Sequence, residues 1–120
     1  MAKVLLIDSN ELARYAWVDV LTHWRFDVTA LAKLPLDVGV SRFDLILVSV
    51  CASSFHEINL EFLAWANRIV DSGLGKRVMV FTEGPVPHLS LKLVSLARGS
   101  MAADFMAVVK KRWPDLLPAS

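Results

Sequence analysis

Residues 45–50 read LILVSV, apolar at every position but Ser49, and they follow Phe43 and Asp44. That is the profile of a strand buried on both faces, with a small hydroxyl near its carboxyl end. A chain holding such a strand must cover the sheet above and below, so the neighbouring segments decide the fold. KVLLI at 3–7 is a second short apolar run, ending in the turn signal DSN, and RVMVFT at 77–82 is another. Between the runs the period turns helical. From 10 to 24, Ala13, Trp17, Val20, Leu21 and Trp24 fall on one face.

FDVTAL at 26–31 reads as the second strand, and AKLPLDVGVSR at 32–42 predicts only a short or irregular helix because of Pro35 and Gly39. After the third strand, Ser54 and Glu57 have capping-box spacing. The helix they introduce turns Phe62, Leu63, Ala66, Ile69 and Val70 inward and ends near DSGLG. Beyond the fourth strand, Pro85 and Pro87 stiffen a loop, 88–98 is expected to be helical and Gly99 to stop it. SMAA at 100–103 is then a weak fifth strand, and 104–113 a last helix.

Strands alternating with helices at this spacing predict a parallel sheet wound on both sides. With right-handed crossovers, five such units favour the α/β flavodoxin-like (βα)5 three-layer sandwich, with a five-stranded parallel sheet of order 2-1-3-4-5. At 120 residues the chain is one domain, long enough to bury a real core, expected over 1–113 with 114–120 as a tail or the start of a linker.

Composition narrows the function classes. Hydrophobic residues make up 55% of the chain, yet no run of about 18 apolar residues is free of charge, so no membrane span is expected. The opening MAKVLLIDSN turns acidic too soon for a signal peptide, and the protein reads as cytoplasmic. Cys51, the single cysteine, excludes an internal disulfide and fits a reducing compartment. Thirteen basic against twelve acidic residues argue against a general grip on nucleic acid or anionic membrane. The local cluster Lys110, Lys111 and Arg112 falls where cations offset a helix dipole.

In the order 2-1-3-4-5 the ends of strands 1 and 3 meet at the switch point, with strand 4 beside them. The residues there are Asp8, Ser9 and Asn10, then Ser49, Val50 and Cys51, then Thr82 and Glu83. A magnesium-dependent phosphoryl site needs two or three carboxylates and a cation. Asp8 is the one carboxylate plainly available, and an aspartate at such a turn more often caps a helix. The turn DSNEL has no glycine to cradle a phosphate, so no cofactor is expected. Cys51, His56, Ser49 and Ser53 crowd one loop, but no third residue orients the histidine, and Cys51 reads as core packing. His23, His56 and His88 lack metal-ligand spacing, and neither a metal nor an enzymatic activity is expected.

These pieces together resemble the receiver domain of two-component response regulators over nearly the whole chain. KVLLIDSNELARYAWVDVL is similar to the family's opening strand, acidic turn and first helix. FDLILVSV is similar to the strand ending in the phosphorylated aspartate, and VMVFT to the strand ending in Thr or Ser. LARGSMAADF resembles the Gly-Ala-x-Gly-aromatic-x-x-Lys-Pro-Phe ending. Asp8 to Ser49 is 41 positions and Ser49 to Thr82 is 33, both near the family's spacing.

Carried over residue by residue, the resemblance implies a degenerate phosphorylation site, a pseudo-receiver. Asp8 keeps one place of the acidic pair, Ser9 replaces the other, and the phosphoacceptor position falls on Ser49. Thr82 keeps the hydroxyl, the lysine position falls on Ala103, and the switch aromatic on Ser100. Glu83 is bulky and negative where the family has a small residue. Ser49 is then the remnant of a site, its hydroxyl expected to hydrogen-bond where a carboxylate would stand.

The expected function is signal transduction through protein–protein contact, independent of phosphorylation. In HLSLKLVSLAR, Leu89, Leu93, Leu96 and Ala97 form the inward set of the expected fourth helix, leaving Leu91 and Val94 on a second face. With Lys92, Val108 and Arg112, that face of fourth helix, fifth strand and last helix would take a protein partner or a second copy. Alternatively, Leu91 and Val94 are two scattered surface aliphatics. Trp65 and Trp113 add weight to an interface. No direct nucleic-acid contact and no membrane contact is expected. The alternative reading is a module gated by a small molecule or nucleotide in the degenerate pocket.

Overall fold

The computed structural model describes residues 1–37, 39–51, 58–83, 86, 89–97 and 102–117. The described elements run β1 Lys3–Ile7, α1 Glu11–His23, β2 Asp27–Leu31, β3 Leu45–Ser49, α2 Leu60–Asp71, β4 Val78–Thr82, β5 Val94–Ala97 and α3 Ala102–Arg112. Short 3-10 turns occupy Val40–Arg42 and Pro114–Leu116. The five strands form one parallel sheet of order β2-β1-β3-β4-β5, a flavodoxin-like fold.

Every residue of β3 and of β4 is buried, whereas β2, at an edge, is exposed or half-exposed along its length. The pleat divides the central strands between two cores. Ile46, Val48, Val78 and Val80 face α2, which turns Phe62, Leu63, Ala66, Ile69 and Val70 against them. Leu45, Leu47, Met79 and Phe81 face the opposite side, where Leu21 of α1 and Phe105 and Val109 of α3 close the core.

Both long helices begin on asparagine. Asn10 accepts a hydrogen bond from the Ala13 amide at 3.0 Å, and Asn59 accepts one from the Phe62 amide at 3.1 Å. The Ser54–Glu57 capping box lies outside the described residues, and α2 starts at Leu60. α1 ends by donating from Arg25 to the Thr22 carbonyl and from Phe26 to the Leu21 carbonyl, with Arg25 at φ 66°. This is a left-handed helix stop, which an arginine adopts at some cost, offset by burying Phe26 with Leu21.

Gly75 sits where α2 turns into β4. A Cβ there would lie 2.7 Å from Ile69 Cγ2, 3.0 Å from Ile46 Cδ1 and 3.2 Å from Val78 Cγ2. Three branched core side chains cannot all retreat, so Gly75→Ala is expected to cost about 1–3 kcal/mol, read by urea denaturation. A cost near zero would show that this corner of the core yields.

The largest departure from the sequence expectation is the segment after β4. Residues 88–98 contain a strand, not a helix: Val94 opposes Met79 and Ala97 opposes Thr82. The fifth strand begins at Val94, six positions before the SMAA segment where the sequence predicts it. LVSLA satisfies a two-residue period as well as a helical one, and the free edge of β4 offers a full ladder of hydrogen bonds. α2 holds the approach to that strand. Ser90 donates its amide to Asn67 Oδ1 at 2.9 Å and its hydroxyl to Asp71 Oδ1 at 2.6 Å.

The expected tail is also corrected. Leu116 is 5% exposed and belongs to the core beneath α1 and α3, and Asp115 pairs with Arg77. The ordered domain therefore runs past 113 to at least Leu117.

Candidate functional site

β1 and β3 are paired from Val4 opposite Leu45 to Ile7 opposite Val48. Asp8 and Ser49 therefore come next on adjoining strands, about 5 Å apart along the row. The row continues through Phe81, opposite Ser49, to Leu96, opposite Phe81. Asp8 is 2% exposed and Ser49 2% exposed, so the carboxyl end of the sheet buries an acid beside a hydroxyl.

Asp8 is built into the turn that starts α1. Its amide donates to the Leu31 carbonyl at 3.0 Å, and its Oδ1 accepts from the Asn10 amide at 2.9 Å. Asn10 in turn caps the helix. One carboxylate oxygen is thus committed to holding the strand-to-helix turn. Arg14, which the sequence reading passed over, donates from Nη1 to the Asp8 carbonyl at 2.9 Å. The signal for it was positional: a long side chain one turn into a helix leans back toward the amino terminus.

Ser49 behaves differently from expectation. Its Oγ is buried and has no hydrogen-bond partner among the described residues. The expected compensating hydrogen bond does not form among the described residues: on one side Phe81 offers no polar side-chain group and is stacked on Trp17 at 4.7 Å, and on the other Asp8 turns Oδ1 to the Asn10 amide. A buried hydroxyl without a partner carries a penalty of about 1–3 kcal/mol. Ser49→Ala is accordingly expected to leave stability unchanged or raise it. A loss above about 1 kcal/mol in denaturant unfolding would mean that the hydroxyl does bond.

Ser9 is exposed, and Thr82, 9% exposed, ends β4 opposite Ala97. Cys51 is buried and its Sγ donates to the Phe81 carbonyl at 3.5 Å. It forms an isolated antiparallel bridge with Ile58, and Ser53 and His56 lie outside the described residues. Ser100 and His88 also lie outside them. Ala103 is corrected: it stands exposed in the first turn of α3, not at the end of the fifth strand. The register that placed it there assumed a strand at SMAA, and β5 ends at Ala97 instead.

The expected interface does not assemble as a helical face. Val94 is buried in β5 against the α3 side of the core, while Leu91 is fully exposed in the turn before it. Lys92 and Arg112 are exposed, and Val108 is half-buried against the core. Trp65 is 3% exposed and donates from Nε1 to Asp37 Oδ1 at 3.2 Å, so it is a core residue. Asp37 also pairs with Arg68, whose guanidinium holds the Asp37 carboxyl below the ordinary carboxylate range. Trp113 is half-buried against the same core as α3.

A magnesium ion held at this position in a receiver would need a set of hard oxygen ligands. Asp8 is half-committed to a backbone amide, Ser49 has no charge, and no group of three His, Cys, Asp or Glu side chains suited to a metal occurs among the described residues. The residues do not fit the ion. No helix among the described residues is long and apolar enough to cross a membrane.

No family model and no curated protein matches the chain in sequence. Solved structures do. A response regulator receiver domain protein from Bacillus halodurans superposes with a TM-score of 0.71 at 17% identity, covering 98% of both chains. A CheY-like receiver domain protein from Methanospirillum hungatei gives 0.67 at 12% identity, covering 97% of this chain and 96% of that one. The Vibrio cholerae chemotaxis protein CheY4 gives 0.66 at 17% identity, over 92% of this chain and 98% of its own. Shared strand order and near-complete coverage at so little identity establish that this chain has the fold of response regulator receiver domains.

Proposed function

We propose that the protein is a pseudo-receiver: a receiver-fold module that takes part in signal transduction through protein contacts and does not depend on phosphorylation. One observation carries this reading. The residue that ends β3 beside Asp8 is a serine, buried and unpartnered among the described residues, where an aspartyl phosphoacceptor would have to be ionised and reachable. A hydroxyl has no carboxyl group from which an acyl phosphate could form, and Asp8 beside it already commits one oxygen to the Asn10 amide. The domain is then a binding module and not an enzyme. Intact-mass analysis after treatment with acetyl phosphate and magnesium tests this directly, because an adduct on Ser49 or Asp8 would overturn it.

A second reading draws on the same hydroxyl. A small polar molecule seated at the carboxyl ends of β1 and β3 would supply the partner that Ser49 lacks among the described residues, and would act as a gate. Thermal shift against nucleotides and small anions separates the two. Stabilisation that disappears in Ser49→Ala supports the gate, and no shift leaves protein contact as the mode of action.

A further inference from the structure

We propose that a groove at the amino-terminal edge of the sheet binds a small zwitterion with an apolar body, a free amino acid or dipeptide. The groove lies at the other end of the strands from Asp8 and Ser49, so it goes beyond the contact-module reading and does not rest on it. Its volume is about 550 Å³, within the range of small-molecule sites, and four segments meet around it. Ala2 leads into β1, Arg25 follows α1, Asp44 leads into β3, and Asp115, Leu116 and Leu117 come from the turn after α3.

Arg25 is the residue whose identity the fold does not explain. It stands at φ 66°, in the left-handed region, where glycine is the least strained choice. The two hydrogen bonds that end α1 use its backbone and that of Phe26, and the burial below them belongs to Phe26, so a glycine would keep all three. The guanidinium is exposed and has no hydrogen bond or ion pair among the described residues. What the side chain does is line the groove. A strained position kept for a side chain without a structural partner points to a ligand.

The other charges of the groove limit the ligand. Asp115 pairs with Arg77, and the same guanidinium donates from Nη1 to the Asp44 carbonyl oxygen at 3.3 Å. The Asp44 carboxylate accepts the Lys3 amide at 2.8 Å and forms no ion pair among the described residues. One guanidinium and one carboxylate thus line the same groove without ionic partners and without reaching each other. Arg25 and Arg77 together balance Asp44 and Asp115, so a dianion would be repelled by the acids and a dication by the guanidiniums. A ligand with one charge of each sign satisfies both, its carboxylate on the fork of Arg25 and its ammonium on Asp44. Leu116, which is buried, and the half-buried Leu117 and Ala2 give its side chain an apolar lining.

Calorimetric titration of the full chain with L-leucine and with L-leucyl-L-leucine tests the site. At least one is expected to bind, and its N-acetylated and C-amidated forms, each lacking one charge, should bind at least about tenfold more weakly. The decisive variant is Arg25→Gly. It should lose at least about tenfold in affinity for the same probe, yet unfold at a higher urea concentration than the parent because the backbone strain is gone. Asp44→Asn keeps an oxygen for the Lys3 amide and should also weaken the probe at least about tenfold. No binding of either probe up to about 10 mM, or binding that Arg25→Gly leaves unchanged, overturns the inference. So does an Arg25→Gly variant less stable than the parent, since the arginine would then be kept for the fold.

Discussion

Incubated with acetyl phosphate and magnesium, the protein is expected to keep its unmodified intact mass, while a receiver with a full acidic set gains a phosphoryl group under the same conditions. The chemistry needs an ionised carboxylate as nucleophile, a divalent cation to neutralise the donor, and ligands to hold that cation. At the ends of β1 and β3 this chain has the hydroxyl of Ser49 and, beside Asp8, the uncharged Ser9. Asp8 itself spends one oxygen on the Asn10 amide.

Replacing Ser49 alone should not rescue the reaction. Ser49→Asp puts a second buried carboxylate on the strand next to Asp8, with no further acid from Ser9 to complete a cation site. Like charges at that spacing raise a carboxyl pKa in the folded state. The variant should therefore be less stable than the parent near neutrality and recover as the pH falls, because the proton relieves the repulsion. An adduct on the unmodified protein, by contrast, would overturn the pseudo-receiver reading.

Phe105→Ala is expected to be the most damaging single change to the fold, costing about 3–5 kcal/mol of the roughly 5–15 that a domain of this size has. Phe105 is fully buried, with its ring edge-on to Trp17 at 5.4 Å and stacked on Trp24 at 6.0 Å. Trp17 stacks in turn on Phe81, the cross-strand neighbour of Ser49. Four aromatic rings thus tie α3, α1 and β4 into one layer under the carboxyl end of the sheet. Removing Phe105 empties the middle of that layer, and Trp17 cannot close the gap without leaving Phe81. The melting temperature should fall by at least roughly 10 °C, with tryptophan emission shifted to the red. A fall of only a few degrees would show that α3 contributes little to the core.

Much of this was legible along the chain. β1 coincides with KVLLI, β3 and β4 lie within the expected apolar runs, and α1 falls inside the segment where the period turns helical. The apolar stripe of α2 is the one its spacing predicts, with Trp65 added to its buried side. Short buried strands declare themselves because both faces must be apolar. The sheet order followed from handedness and alternation alone. The identity of Ser49 was equally plain, and so was its place at the end of the third strand.

What the chain could not declare is where competing periods or remote partners decide. LKLVSLA reads as helix or strand, and the unpaired edge of β4 chose strand, carrying Val94 into the core and leaving Leu91 outside. Trp65 looked like an interface residue until Asp37, 28 positions away, accepted its indole proton. Pro114 looked like the start of a tail until Leu116 found the base of the core. That the hydroxyl of Ser49 finds no partner among the described residues is the same kind of fact, because only pairing β3 with β4 sets Phe81 against it. Local composition determined which segments are strands and which side chains stand at their carboxyl ends. Long-range pairing, which no local period encodes, decided what each polar group finds to bond and which apolar side chains remain on the surface.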